Sequence, residues 1–389
     1  MVKLKKLTAY QVLDSNGNLT LKVKAVAGSY EASAIVPSGS SRGIHESKVI
    51  SAEAAVKRVN LLNKDLKNKK LSLIDSLISD EPGNVSTGIS IAVNRLIAKS
   101  KGKEYYELLK GKTLPVPFMN VINGGLHAGN ELAFQEFMIA PLGNTFKESL
   151  MMGARVYREL REYLENNYGR ESINVGMEGG FAPPMKNVEE PLKVLRKVLF
   201  NLNLEKKVSL AIDAAASQFF NKDKYDVNDE KLSPDELIKY YEKLASEYNI
   251  VSIEDPFHED DFESFARLRR VLKKSWVVGD DLLVSDPSRV RRAVNENSCN
   301  CLLLKVNQVG TVKRALESVN IAKKHDWKVM VSHRSGDSCD SFIADVAVGV
   351  NAGMIKSGAP ARGERVAKYN RLLEIEEKLG SKALYPSTL

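Results

Sequence analysis

The sequence predicts an α/β protein: a closed β/α barrel behind a smaller α+β N-terminal domain. Three observations predict it. Residues 19–36 alternate apolar and polar with the period of a half-buried strand. Beyond about residue 114, short continuous apolar runs alternate with amphipathic helices, the pattern of a parallel sheet covered on both faces. Those runs then end, one after another, in charged residues, as barrel strands do where they carry chemistry. An open doubly wound sheet is the other architecture compatible with the pattern, but no G-x-G-x-x-G follows any strand.

The elements follow in order. Leu21, Val23 and Ala25 share one strand face, and Thr20, Lys22 and Lys24 the other. Gly28-Ser29 offers a tight turn into a second strand through Ala32, Ala34 and Val36. Helical patterns fill about 47–110. "GKTLPVPFMN", with two prolines, marks the boundary, so the expected domains are residues 1–114 and 115–389. "VSLAID" leads to a helix whose start is legible: Ser233, Pro234 and Glu236 make a capping box with proline at the first helical position. Its apolar face is Leu237, Tyr241, Leu244 and Tyr248. "NIVSIED", "WVVGDD", "CLLLKV" and "KVMVSHRS" follow, each separated by a helix. One of these presents Val312, Ala315, Leu316 and Val319.

The totals narrow the function classes. A chain of 389 residues can build two domains, and 43% apolar with 27% charged residues is globular composition. The N-terminus has no apolar signal region, and no stretch approaches the roughly 20 apolar residues of a membrane helix. Three cysteines fit a reducing, cytoplasmic setting; Cys299 and Cys301 read as small buried hydrophobes rather than metal ligands. The net charge of +8 favours anionic partners. The basic clusters at 63–70, 269–274 and 289–292 lack interleaved aromatics and read as solvated helix faces, not a nucleic-acid site.

The strand ends carry the chemistry. They finish at Asp213, Glu254-Asp255, Asp280-Asp281, Lys305 and His333-Arg334-Ser335, and a last run delivers Lys356. Side chains alternate along a strand, so only one of each acidic pair can point inward. Carboxylates ~6 Å apart at an effective dielectric of ~20 repel by ~3 kcal/mol per pair. An all-oxygen set neutralised by a cation suits a hard ion, Mg²⁺ above all. A lysine beside a divalent cation and a second lysine is expected to have a lowered pKa and to serve as a general base. That combination suits proton abstraction next to a carboxylate. His333, Arg334 and Ser335 are expected where the buried strand surfaces.

These residues sit in longer stretches: "VPSGSSRGIHES", "NVINGGLHAGNELAFQEFMIAP", "NVGMEGGFAPP", "IDAAAS", "VSIEDPFHEDD", "GDDLLVSDP", "LLLKVNQVGT", "VSHRSGDSCDSFIAD" and "IKSGAPARGER". In this order they resemble the enolase family over nearly the whole chain. The resemblance implies an α+β cap on a modified (β/α)8 barrel and Mg²⁺-dependent dehydration of 2-phosphoglycerate. It implies that Asp213, Glu254 and Asp280 hold one Mg²⁺, and that Ser41, in a closing loop, helps hold a second against the substrate phosphate. Lys305 would take the C2 proton. Glu178, with Glu136 near it, would protonate the leaving hydroxyl. Lys356 would contact the substrate carboxylate, and Arg334 and Ser335 would grip the phosphate. His127, Gln135, Ser332 and His333 would line the site. The substrate is then a phosphorylated acid, and a homo-oligomer is implied. The alternative is a divergent paralogue with altered activity, or with an RNA-binding or scaffold role that uses the basic surface. That enolase-type sites pair such a base with Mg²⁺ is general knowledge of the superfamily.

Several positions depart from the family pattern: Asn16 and Leu19 in the first hairpin, Arg42 where the closing loop usually has threonine, Met177 in place of an aspartate, and Gln218 in place of a glutamate. The reading gives Arg42 a place beside the second metal, and Met177 an effect on the proton affinity or orientation of Glu178.

Overall fold

A computed structural model describes residues 2–39 and 42–389; Ser41, the expected second-metal residue, lies outside the described residues. The first three strands, β1 (Lys6–Leu13), β2 (Leu19–Ala27) and β3 (Tyr30–Ile35), form an antiparallel sheet in the order β1-β2-β3. Leu21, Val23 and Ala25 are buried beneath the helices Ala52–Leu66 and Gly83–Lys99, as their alternation requires.

Eight strands then close a barrel. They are β4 (Val116–Asn123), β5 (Glu136–Pro141), β6 (Val208–Asp213), β10 (Ile250–Glu254), β11 (Trp276–Gly279), β12 (Cys301–Leu304), β13 (Lys328–Ser332) and β14 (Gly353–Lys356). The expectation of a uniformly parallel sheet fails at β5, which runs antiparallel to both β4 and β6. The cause is the connection. Residues 124–135 hold one 3₁₀ turn, Gly125–His127, and no crossover helix, so the chain can only fold back on itself. Three short strands, β7 (Phe220–Asn221), β8 (Lys224–Val227) and β9 (Glu230–Leu232), add a small antiparallel sheet that the apolar pattern did not announce.

The helix over Pro234–Tyr248 starts as its sequence dictates. The Ser233 side chain accepts from the Glu236 N–H and the Glu236 carboxylate accepts from the Ser233 N–H. Leu237, Tyr241, Leu244 and Tyr248 are all buried. Cys301 packs inside the barrel with Phe118, Met138, Leu303 and Met330, and Cys299 is also buried, so both act as small hydrophobes. No helix among the described residues is long and apolar enough to cross a membrane.

Candidate active site at the barrel mouth

The alternation inside the barrel places the chemistry. On β12, Cys301 and Leu303 fill the interior while Leu302 and Leu304 face the helices. Two residues past Leu303, Lys305 therefore enters the mouth. The same count carries Ala211 to Asp213, Val278 to Asp280, Met330 to Ser332 and Met354 to Lys356. On β5 the count runs backward, from Met138 to Glu136, because the strand is reversed. Its first residue thus lies at the mouth, in register with Asp213, which in turn is in register with Glu254.

The acidic pairs divide as alternation requires. Glu254 points to the barrel axis. Asp255, at φ +40°, turns away, and its carboxylate accepts from the main-chain N–H groups of Asp280 (2.9 Å) and Asp281 (2.7 Å). Asp280 pairs with Lys305 and also accepts from Gln308 Nε2 at 2.8 Å. Lys356 Nζ is the hub: it lies 2.9 Å from Asp213, 2.8 Å from both oxygens of Glu254 and 3.1 Å from Glu136. Asp213, Glu254, Asp280, Glu136 and Glu178 face the ammonium groups of Lys305 and Lys356. Burial, then repulsion from Asp213, drives Glu254 well above the ordinary carboxylate range. Burial, then the charge of Glu178, does the same to Glu136.

The two lysines answer to the carboxylates beside them. Burial alone would push Lys305 down, but the Asp280 carboxylate beside it holds the ammonium, so its pKa is raised. Lys356 is raised well above its ordinary value for the same reason, with Asp213, Glu136 and Glu254 outweighing burial. The two ammonium groups offset part of the negative charge of these acids.

The opposite wall is Glu178 with two histidines. His127 Nδ1 lies 3.6 Å from Glu136 and 3.7 Å from Glu178. His333 Nε2 lies 3.2 Å from Glu178, which also accepts from Asn120 Nδ2 at 3.1 Å. Burial lowers both histidines, His333 to about 4. Burial works against charge on Glu178, but His333 and His127 beside it hold its carboxyl well below the usual range.

His333, Arg334 and Ser335 do not surface; each is at most 5% exposed. The cap covers them, with Ser38 and Gly336 bridged main chain to main chain. Arg334 forks around the Glu46 carboxylate at 2.8 and 3.1 Å. Ser332 Oγ bonds the His333 carbonyl. Gln135 reaches Asp213 at 3.4 Å and accepts from Gln218 at 2.6 Å, so the departure at Gln218 works as an amide link between them. His127, Gln135, Glu136, Glu178, Asp213, Lys305, Ser332, His333, Arg334, Ser335 and Lys356 line one small cavity; Glu254 and Asp280 stand behind the lysines.

Arg42 faces Glu46 at 3.7 Å and donates to the Ser47 carbonyl. Met177 uses its main chain, N–H to His127 and carbonyl to Arg365, and lines a separate outer cavity of about 810 Å³. Sequence reasoning missed Asn120, Glu46, Gln308 and Arg365. All four lie inside the stretches that carry the family resemblance, and Asn120 is also a polar residue in a largely apolar strand run.

Residues 111–388 match a family model described as "Enolase, C-terminal TIM barrel domain". The chain is 42% identical to Enolase of Sulfurisphaera tokodaii, covering 97% of this chain and 96% of that one. It is 44% identical to Enolase of Methanosarcina barkeri (98% and 96%) and 42% identical to Enolase of Solanum lycopersicum (99% and 97%).

Proposed function

The chain belongs to the enolase family, and on that premise we propose how its residues divide the dehydration of 2-phosphoglycerate to phosphoenolpyruvate. The reaction is a hydro-lyase step of glycolysis. A proton leaves C2, and the C3 hydroxyl departs with a proton as water. Membership implies a divalent metal ion, and among the described residues two groups lie close enough to hold one, His127 with Glu136 and Glu178, and Asp255 with Asp280 and Asp281; of the expected triad only Asp280 belongs to either.

The observation that carries the assignment is that Lys305 and the Glu178–Glu136 pair line the same cavity. Lys305 takes the C2 proton once Asp280 no longer holds its ammonium. Glu178, with Glu136 near it, delivers a proton to the leaving hydroxyl from the opposite wall. Lys356 receives the substrate carboxylate. Arg334, with Ser335, takes the phosphate in place of Glu46, since a guanidinium fork suits either anion. His127, Gln135, Ser332 and His333 shape the walls.

The excess of buried carboxylate over ammonium, and the all-oxygen donor set, fit Mg²⁺ held by Asp213, Glu254 and Asp280. When bound, the ion supplies positive charge to the substrate carboxylate as its C2 proton leaves. A second Mg²⁺, held by the substrate phosphate and Ser41, completes the reading. The domain division at residues 114/115, a cytoplasmic location suited to three free thiols, and a homo-oligomer belong to the same proposal. Exposed Leu13 and Leu19, opposite one another in the first hairpin, support self-association. The RNA-binding alternative is not favoured: Arg291 and Arg292 in the basic clusters already pair with Glu317 and Glu296.

Two variants separate the roles. Lys305→Ala is expected to lose both phosphoenolpyruvate formation and C2 hydrogen exchange with solvent, each by at least ~100-fold, the scale of a missing general base. Glu178→Gln is expected to keep C2 exchange and lose dehydration. Retained exchange in Lys305→Ala would overturn the assignment of the base.

A further inference from the structure

Arg365 has no place in the division of labour above, yet no part of its side chain is exposed. It stands in the first turn of the helix Gly363–Leu379, where the helix dipole disfavours a cation. Its surroundings explain why it is there. Nη1 donates to His333 Nδ1 at 2.7 Å and to the Arg334 carbonyl at 2.5 Å. Nη2 donates to the Ser335 carbonyl at 2.6 Å and the Met177 carbonyl at 2.9 Å. One planar group thus ties the turn carrying Glu178 to the strand end carrying His333, Arg334 and Ser335.

The contact with His333 has a chemical consequence. A guanidinium offers donors and no acceptor, so the ring nitrogen facing it must present a lone pair. A neutral imidazole has one N–H, which is then on Nε2, 3.2 Å from Glu178. We propose that Arg365 is a positioning residue that fixes His333 as the Nε2–H tautomer and so keeps a proton donor facing Glu178. Without Arg365, Nδ1 could carry the proton. A lone pair would then face the Glu178 carboxylate, repel it and turn it away from the leaving group. The proposal rests on the reading of Glu178 as part of the acid pair, and its test separates the two.

The chain has five histidines, so ¹⁵N-histidine spectra can be assigned to His333 by loss of its signals in His333→Gln. At neutral pH the wild-type protein is expected to show an unprotonated Nδ1 and a protonated Nε2 at His333. Arg365→Met is expected to shift that ring toward the Nδ1–H form. Its kcat should fall roughly 10- to 100-fold while KM stays within about threefold. Arg365→Lys, which keeps a donor, should retain the wild-type tautomer and most of kcat. A wild-type His333 protonated on Nδ1 overturns the proposal, and that measurement stands even if Arg365→Met does not fold. An unchanged tautomer in a folded Arg365→Met also overturns it. If Glu178→Gln dehydrates at the wild-type rate, the acid assignment fails while the tautomer result still stands.

Discussion

Lys356 shows what a single buried ammonium does among acids. It is 2% exposed and touches Asp213, Glu254 and Glu136. Removing one partner of a buried charge cluster costs about 3–5 kcal/mol, because the remaining charges lose their compensation. Lys356→Met is therefore expected to lower the melting temperature in the absence of metal. Added Mg²⁺ should restore more of the loss than it adds to the wild type, since an ion bound only by the native state raises stability. Equal Mg²⁺ effects on both proteins would show that these carboxylates do not hold the ion. Met177 makes the contrary case at the same scale. It lines the outer cavity, and its hydrogen bonds to His127 and Arg365 are made by its main chain. Met177→Asp is thus expected to leave the pH–rate profile of dehydration unmoved, against the reading from sequence. A displaced profile would mean that the new carboxylate reaches Glu178. The difference in legibility is physical. Lys305 and Asp213 could be found because each follows an apolar run whose period fixes its direction. Arg365 and Glu46 could not, because a charge in a helix turn or loop looks solvated until the partner brought by the fold is known.

Elements were legible where local chemistry decides them. The helix at Pro234–Tyr248 has its stop and start written within the chain: a reciprocal Ser233–Glu236 box, proline at the first position, and Asn249 in the left-handed region at its end. Ser233→Ala is expected to cost about 1 kcal/mol, the usual worth of such a cap, read as a shift in urea midpoint with no change in slope. No shift would mean that the Glu236 carboxylate caps the helix without the hydroxyl. The strand β5 was not legible in direction. An apolar run looks the same whichever way it runs, and only the missing crossover helix between residues 124 and 135 tells them apart. That reversal matters for the site, because a parallel β5 would have put Glu136 at the far end of the barrel.

At the scale of the whole molecule, the question is what holds the N-terminal sheet and its helices over the mouth. One polar link is made by Asp340. Both its oxygens accept from Arg95, at 2.7 Å each, and it also accepts from the main-chain N–H of Ile35 at 3.1 Å. Arg95 at the same time donates to the Ser33 carbonyl. A residue that follows the His333–Ser335 strand end thereby grips the edge strand of the cap. Burial opposes charge on Asp340, but the Arg95 guanidinium wins and holds the carboxyl below its usual range. A depressed native pKa means that the native state binds fewer protons than the unfolded chain. The stabilisation is then complete above the unfolded value of about 3.9 and is lost as pH falls through the lower native value. Asp340→Asn removes the charge and keeps the shape. Arg95 is 23% exposed, so the loss should fall somewhat short of a fully buried pair, at about 2–3 kcal/mol near pH 7. Urea midpoints of the two proteins should be well separated at pH 7 and should converge only as pH falls from about 4 through the lower native value, where the folded wild type also protonates Asp340. Midpoints that stay equally far apart in acid would show that the carboxylate charge is not what fastens the cap to the barrel.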